Sequence, residues 1–152
     1  GCCFAEVAVD SRLGTIRVLD IVNAHDCGTL INPQLAAAQV HGGISMGLGY
    51  GLTEQLFLDQ ATGRMLNDNL LDYKLLTAMD HPDRIGAVFV ENAEPTSPFG
   101  TKALGEPPVV PVAPAIRNAV LAATGAAIDT LPLHPAACLA AMHTAHFAGG
   151  DT

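Results

Sequence analysis

The sequence predicts an α+β fold in which a β-hairpin and a further strand pack with a long glycine-rich helix and a second helix. Three observations support this prediction. Apolar and polar residues alternate over two early stretches, a long proline-free segment follows an Asn-Pro pair, and a proline-rich loop precedes a second helical pattern. The 152 residues are enough for one ordinary domain.

The predicted hairpin lies at the start of the chain. Residues 4–10 and 15–22 alternate in polarity and are rich in β-branched residues, and Ser11–Gly14 between them has turn chemistry. A polar loop is predicted from Asn23 to Gly28. The further strand is predicted over Ile85–Glu91, which alternates in the same way.

The long helix is predicted to follow Asn32, which suits an N-cap, and Pro33, which suits the first helical position. It is expected to span Gln34–Phe57. Each interior glycine costs about 1 kcal/mol relative to alanine, so close packing must compensate. Glycines four residues apart share one helix face, which admits either a tight crossing with another backbone or a bulky flat ligand. These glycines are Gly43, Gly47 and Gly51.

The second half of the chain is rich in structure breakers. Residues 70–79 indicate a short mixed element, and the loop 92–114 holds six prolines. Residues 115–124 then predict a second helix, with Gly125 as its C-terminal stop. A last short helix is predicted over residues 136–143, before a frayed end.

Composition excludes several classes of function. The chain has 7 Lys and Arg against 15 Asp and Glu, a formal net charge of −8, so we expect no nucleic-acid partner. It has no run of 18 apolar residues, so we expect no membrane span. Apolar residues make up 49% and charged residues only 14%, which predicts faces covered by a larger assembly and therefore an oligomer. The first residue is Gly1 rather than Met, which agrees with a part of something larger.

The cysteines point to a reducing compartment. Cys2, Cys3, Cys27 and Cys138 form no regular framework, and a chain of this length needs no disulfides to fold. We therefore expect reduced, buried thiols and a cytoplasmic protein. The C-x2-C and C-x4-C-x2-C spacings are missing, so no metal ligands are expected in this chain.

Glu106 is the candidate catalytic residue because its surroundings stiffen the backbone. Pro107 and Pro108 fix their own φ angles, and a residue before proline is held extended. Apolar neighbours such as Leu104 and Val109 predict desolvation, which raises a carboxyl pKa and suits a general base. The alternative is a surface glutamate in a proline-rich connector.

Six blocks of sequence occur here in the order found in a known family. They are N-P at 32–33, A-Q-V-H-G-G at 38–43, G-L-G at 47–49, L-D-Y-K at 71–74, K-A-L-G-E-P-P at 102–108 and P-A-I-R-N-A-V at 114–120. From about Phe4 to Ala141 the chain resembles the C-terminal part of the molybdenum-binding subunit of the xanthine dehydrogenase family, the molybdenum hydroxylases. The resemblance implies that residues 1–145 are the C-terminal portion of a molybdopterin-binding domain and residues 146–152 a flexible tail.

The resemblance also implies the chemistry. The family's catalytic glutamate stands at Glu106, as general base for inserting a water-derived oxygen at an electron-poor carbon. Xanthine or hypoxanthine is the expected substrate. An aldehyde, another N-heterocycle such as nicotinate, and a non-catalytic assembly module remain alternatives. The implied cofactor is molybdopterin with molybdenum, and its form, with or without a cytosine nucleotide, is left open.

The cofactor residues follow from the same blocks. The resemblance places Gln39 against the pyranopterin, with Gly42 and Gly43 as positions that admit it. Lys102 and Gly105 flank the catalytic glutamate and are implied to line the same pocket. The family's subunit is much longer, so this chain alone is expected to be inactive. Its implied partners are the remainder of that subunit and the iron–sulfur and FAD domains or subunits.

Overall fold

A three-stranded sheet and two helices that pack on it form the centre of the computed structural model, which describes residues 1–148. The elements are β1 (Cys2–Val9), β2 (Ile16–His25), α1 (Pro33–Leu52), β3 (Arg84–Phe89), α2 (Val112–Thr124) and α3 (Pro135–Ala148). Short 3-10 turns lie at Ala78–Asp80 and Pro98–Gly100. The predicted α+β class is confirmed.

The predicted hairpin is confirmed as the antiparallel pair β1–β2, which runs from Cys2 opposite Ala24 to Val9 opposite Ile16 with a shift of register between Glu6 and Val7. Its turn is closed by the Asp10 carboxylate, which accepts hydrogen bonds from the two backbone N–H groups of Arg12 and Leu13. Such local bonds favour turns over regular structure.

β2 continues further than the sequence predicts. Asn23 and His25, expected in a polar loop, are strand residues and are buried. The reason is tertiary, because β3 pairs in parallel with Asp20–His25, although it lies about sixty residues further along the chain. The central strand of the sheet therefore ends in two buried polar side chains.

α1 begins as predicted and ends earlier. The Asn32 side chain accepts a hydrogen bond from the Leu35 N–H at 3.0 Å, which caps the helix. The helix stops at Leu52 rather than Phe57. Thr53 donates its hydroxyl to the Lys74 carbonyl at 2.9 Å, and this bond draws the chain away from the helix axis.

The spaced glycines of α1 make a tight helix crossing. A methyl group at Gly47 would lie 2.5 Å from the Val112 Cβ, and one at Gly51 would lie 3.3 Å from the Ala113 Cβ. Both partners belong to the first turn of α2. Of the two possibilities that the spacing left open, the structure therefore shows the crossing at these positions.

α2 starts at Val112, three residues before its predicted start. Pro114 sits inside the first turn, which tolerates it because first-turn N–H groups have no acceptor within the helix. Gly125 ends the helix with a φ of 71°, as predicted. The core lies between α1, α2 and the sheet. It is formed by Val18, Ile21, Val40, Ile44, Leu48, Val112, Ile116, Val120, Ile128, Leu133 and Cys138.

Two further predictions on secondary structure were wrong in extent. Only residues 70–72 form a turn, where the Asn69 side chain accepts hydrogen bonds from the N–H groups of Leu71 and Asp72 and so competes with a helix, and residues 73–77 are irregular. α3 runs on to Ala148, so residues 146–148 of the predicted tail are helical, and residues 149–152 lie outside the described part. No helix within residues 1–148 combines the length and apolarity needed to cross a membrane.

The cysteines are free thiols, but not all of them are buried as predicted. Cys27 and Cys138 are buried, whereas Cys2 is exposed. Cys2 opens β1, which pairs on one side only in the described sheet. Burial raises the pKa of the Cys3 thiol to about 11.

Large apolar side chains are exposed in the segment between α1 and β3, as the composition predicts. Leu71 is 88% exposed and Met79 is 92% exposed. Others in this segment are Leu56, Phe57, Leu58, Leu66, Leu70 and Leu75. An apolar surface of this kind marks a contact with other protein.

We therefore expect the isolated chain to self-associate in solution, because its exposed apolar side chains have no other cover. Analytical ultracentrifugation over a concentration series measures this. A stable monomer at all concentrations would contradict the prediction.

Two glycines of α1 provide a matched test of the crossing. Gly47→Ala forces a methyl group against Val112, and we expect a loss of about 1–3 kcal/mol in the free energy of unfolding. Gly42 has no atom within 4 Å of a built Cβ, so Gly42→Ala should stabilise the helix by about 0.5–1 kcal/mol. Thermal unfolding of both variants at one low concentration gives the comparison, and equal midpoints would show that Gly47 is not at a tight contact.

Candidate active site

The loop that carries Glu106 is tied to the end of β2. The Lys102 N–H donates to the Cys27 carbonyl at 2.8 Å, and the Thr29 N–H donates to the Gly100 carbonyl at 2.9 Å. Gly28 has a φ of +70°, and a methyl group there would lie 2.2 Å from the Gly100 carbonyl oxygen. Only glycine permits this close approach of the two chain segments.

Glu106 begins a tight turn. The Val109 N–H donates to the Glu106 carbonyl at 2.9 Å across the two prolines. Pro108 is fully buried, and a methyl group at Gly43 would lie 2.6 Å from its Cβ. The Asn23 amide nitrogen donates to the Pro108 carbonyl at 2.7 Å. α1 and β2 therefore hold the turn through their contacts with Pro108.

The Glu106 side chain itself is exposed in this chain. The burial predicted from its apolar neighbours is not found, because Val110 is 71% exposed and no described residue covers the Glu106 side chain. Glu106 instead borders an open cleft of about 670 Å³, together with Gly105 and Pro107. The stiff support predicted for this carboxylate is present, and the apolar enclosure is not supplied by residues 1–148.

Lys102 lies apart from that cleft. Its ammonium group forms an ion pair with Asp26, with Nζ 2.6 Å from Oδ2. The hydrogen bond from Lys102, followed by that from the Gly28 N–H, lowers the pKa of the Asp26 carboxyl. Lys102 borders a second cleft, of about 280 Å³, which Gln39 also lines. Its observed role is to fasten the loop to the segment after β2.

Gln39 connects α1 to the loop that carries Glu106. Its side-chain amide is exposed, and Nε2 lies 3.5 Å from the Gly105 carbonyl oxygen, at the limit of a hydrogen bond. Gly42 lies three residues further on, so the two residues share one exposed face of α1. Gly43 points the other way and is covered by Pro108, so packing within the chain explains this glycine.

The exposed face of α1 and the loop fit one side of a pterin site. A carboxamide such as that of Gln39 offers both a donor and an acceptor to a heterocycle edge. Nothing in the described residues requires glycine at position 42, and the open space beside it admits a flat group. Within residues 1–148, no three His, Cys, Asp or Glu side chains converge as a metal-binding group would.

Asn23 is the residue that sequence reasoning missed. The sequence predicts a polar loop at this position, yet Asn23 is completely buried and contacts the Glu106 loop from 85 residues away. One signal was available. Ile21, Asn23 and His25 continue the two-residue alternation of β2, which places Asn23 on the inward face.

Comparison with known proteins agrees with this arrangement. Residues 1–82 match the model of the molybdopterin cofactor-binding domain family. The chain is 51% identical over 135 residues to the xanthine dehydrogenase molybdenum-binding subunit of Escherichia coli O157:H7, covering 89% of this chain and 18% of that protein. It is 34% identical over 131 residues to an aldehyde oxidoreductase molybdenum-binding subunit of Escherichia coli K12, covering 86% and 18%.

A solved structure shows the same fold. Quinoline 2-oxidoreductase from Pseudomonas putida 86 superposes with a TM-score of 0.82 at 32% identity, over 90% of this chain and 18% of the other. The chain thus belongs to the molybdopterin cofactor-binding domain family, among the molybdenum hydroxylases of the xanthine dehydrogenase type. It spans about a fifth of the length of these relatives.

Asp26→Asn tests the ion pair that fastens the loop. Since the native pKa of Asp26 lies below its usual value of 3.8, the carboxylate stabilises the fold above about pH 4 and loses that contribution as the pH falls through the lowered pKa. We expect Asp26→Asn to lower the midpoint temperature of unfolding at pH 7. Below about pH 4, that temperature should fall less steeply with decreasing pH in the variant than in the unchanged chain. Thermal unfolding between pH 7 and pH 2 measures this.

Asp129→Asn is the matched control, because Asp129 pairs with Arg117 away from the loop and is 81% exposed in its side chain. If the unfolding temperature of Asp26→Asn depends on pH in the same way as that of the unchanged chain, the ion pair of Asp26 with Lys102 does not stabilise the fold.

Proposed function

We propose that the chain forms one wall of the molybdopterin site in an enzyme that oxidises a purine such as xanthine, with Glu106 as the general base. The observation that carries the proposal is an exposed carboxylate on a rigid, anchored turn, beside an open cleft. The 51% identity to a xanthine dehydrogenase subunit supports the choice of a purine. On this proposal, residues 1–145 are the C-terminal portion of the domain.

Each residue of the site would have a separate role. Glu106 would accept a proton at its carboxylate, and the turn would hold that group still while the proton moves. Gln39 would meet the polar edge of the pterin, and Gly42 would let its ring lie close to the helix. Molybdenum, when bound, would supply the redox chemistry. The pterin would be molybdopterin or its cytosine dinucleotide.

The proposed assembly explains the open side of the site. The remainder of the molybdenum subunit would cover Glu106, exclude water and orient the substrate, so the chain alone would be inactive. Iron–sulfur and FAD domains or subunits would take the electrons away. The exposed apolar segment between α1 and β3 agrees with such partners.

A second candidate substrate class has its own support. One relative is an aldehyde oxidoreductase subunit, and the superposed structure is a quinoline oxidoreductase. An aldehyde or another N-heterocycle is therefore the alternative substrate. The alternative to an enzymatic role is a module that serves assembly without catalysis. In such a module Glu106 would have no catalytic role.

Glu106→Gln, made in the complete molybdenum-loaded enzyme that contains this chain, decides between these possibilities. We expect kcat for xanthine to fall by about 10²–10⁴-fold, because the amide cannot accept the proton. Molybdenum content should stay unchanged. Glu6→Gln, an exposed carboxylate on β1, is the control and should leave kcat unchanged.

Each result has one meaning. Activity near the original level in Glu106→Gln would show that Glu106 is not the base. A higher kcat/KM for an aldehyde or for quinoline than for xanthine in the unmodified enzyme would replace the purine proposal with the alternative.

A further inference from the structure

Asn23 is a buried amide that has no role in the proposed chemistry. It is 0% exposed and lies on β2, between Cys3 of β1 and Ala87 of β3. Its amide nitrogen is bonded to the Pro108 carbonyl, while its Oδ1 has no hydrogen-bond partner in the described part of the chain. A buried acceptor without a partner is unfavourable, so the donated bond must matter enough to keep an amide here.

The acceptor of that bond stands two residues after Glu106. Pro107 and Pro108 have fixed φ angles, so a shift of the Pro108 carbonyl moves Glu106 with it. Gly43 holds the Pro108 ring from the side of α1, and the Val109 N–H closes the turn on Glu106. Asn23 thus contacts the most rigid point of the loop.

Few other side chains hold this loop. Among the described residues, two side-chain hydrogen bonds reach the stretch 103–111. The bond from Gln39 to the Gly105 carbonyl is exposed and 3.5 Å long, whereas that from Asn23 is buried and 2.7 Å long. A short buried bond restricts movement far more than a long exposed one.

We propose that Asn23 is a positioning residue, which holds the Glu106 turn in place through the Pro108 carbonyl. This inference rests on the proposed role of Glu106 as the base. A general base must stand within hydrogen-bond reach of its proton, and a misplacement of about 1 Å costs on the order of 10²-fold in rate.

Asn23→Leu in the complete enzyme removes the donor and keeps a similar size, and Asn23→Ala is made beside it in case leucine does not fit. We expect kcat to fall about 10–100-fold with KM within about twofold, because substrate binding is not touched. Hydrogen exchange of the Val109 amide, which is bonded to Glu106, should accelerate at least about tenfold, since the turn opens more often. Molybdenum content should not change.

Val18→Ala is the matched control, because Val18 is a buried core residue of the same strand, five positions from Asn23. It should lower the unfolding temperature and leave both kcat and the Val109 exchange within about twofold.

The two readouts separate the possible failures. Unchanged Val109 exchange in both Asn23 variants would overturn the positioning role, whatever the activity. Faster exchange with unchanged kcat would overturn its link to the reaction. An unmodified enzyme that does not oxidise xanthine would refute the proposed function, while the exchange measurement would still decide whether Asn23 holds the turn.

Discussion

The close approach of α1 to residues 108–113 is the contact on which the rest of the structure depends. It depends on glycine at positions 43, 47 and 51. These glycines lower the stability of the helix, and the packing of Pro108 and the first turn of α2 against them compensates for that loss. This single contact joins the two main helices and buries Pro108. The Glu106 loop and the core therefore depend on the same contact, and a change in the crossing affects both.

The candidate site has an anchored side and an open side. On the anchored side, Asn23 and Gly43 hold Pro108, and Asp26 holds Lys102. On the open side, Glu106, Gln39 and Gly42 are exposed. This division fits a chain that spans 18% of its relative, because the rest of such a protein can cover the exposed side of the site.

The sequence predicted those structural features correctly that depend only on residues close together in the chain. The hairpin, the Asn32 cap and the Gly125 stop depend on neighbouring residues, and all three are present. The two prolines predict a constrained backbone at Glu106, and the structure shows a turn there, closed by the hydrogen bond from the Val109 N–H to the Glu106 carbonyl, while its role as the base stays a prediction. Its predicted burial was wrong, because apolar neighbours in sequence do not enclose a side chain unless another segment covers them.

The sequence by itself determined the fold class, the family and the stiffness of the Glu106 turn, since each depends on residue types at fixed spacing. Only the tertiary structure decided which glycines pack within the chain and which remain open, because that depends on what lies across from them. It also decided that Asn23 belongs to a buried strand. The partner that makes it so, β3, lies about sixty residues away, and the local alternation of Ile21, Asn23 and His25 does not show which segment pairs with them.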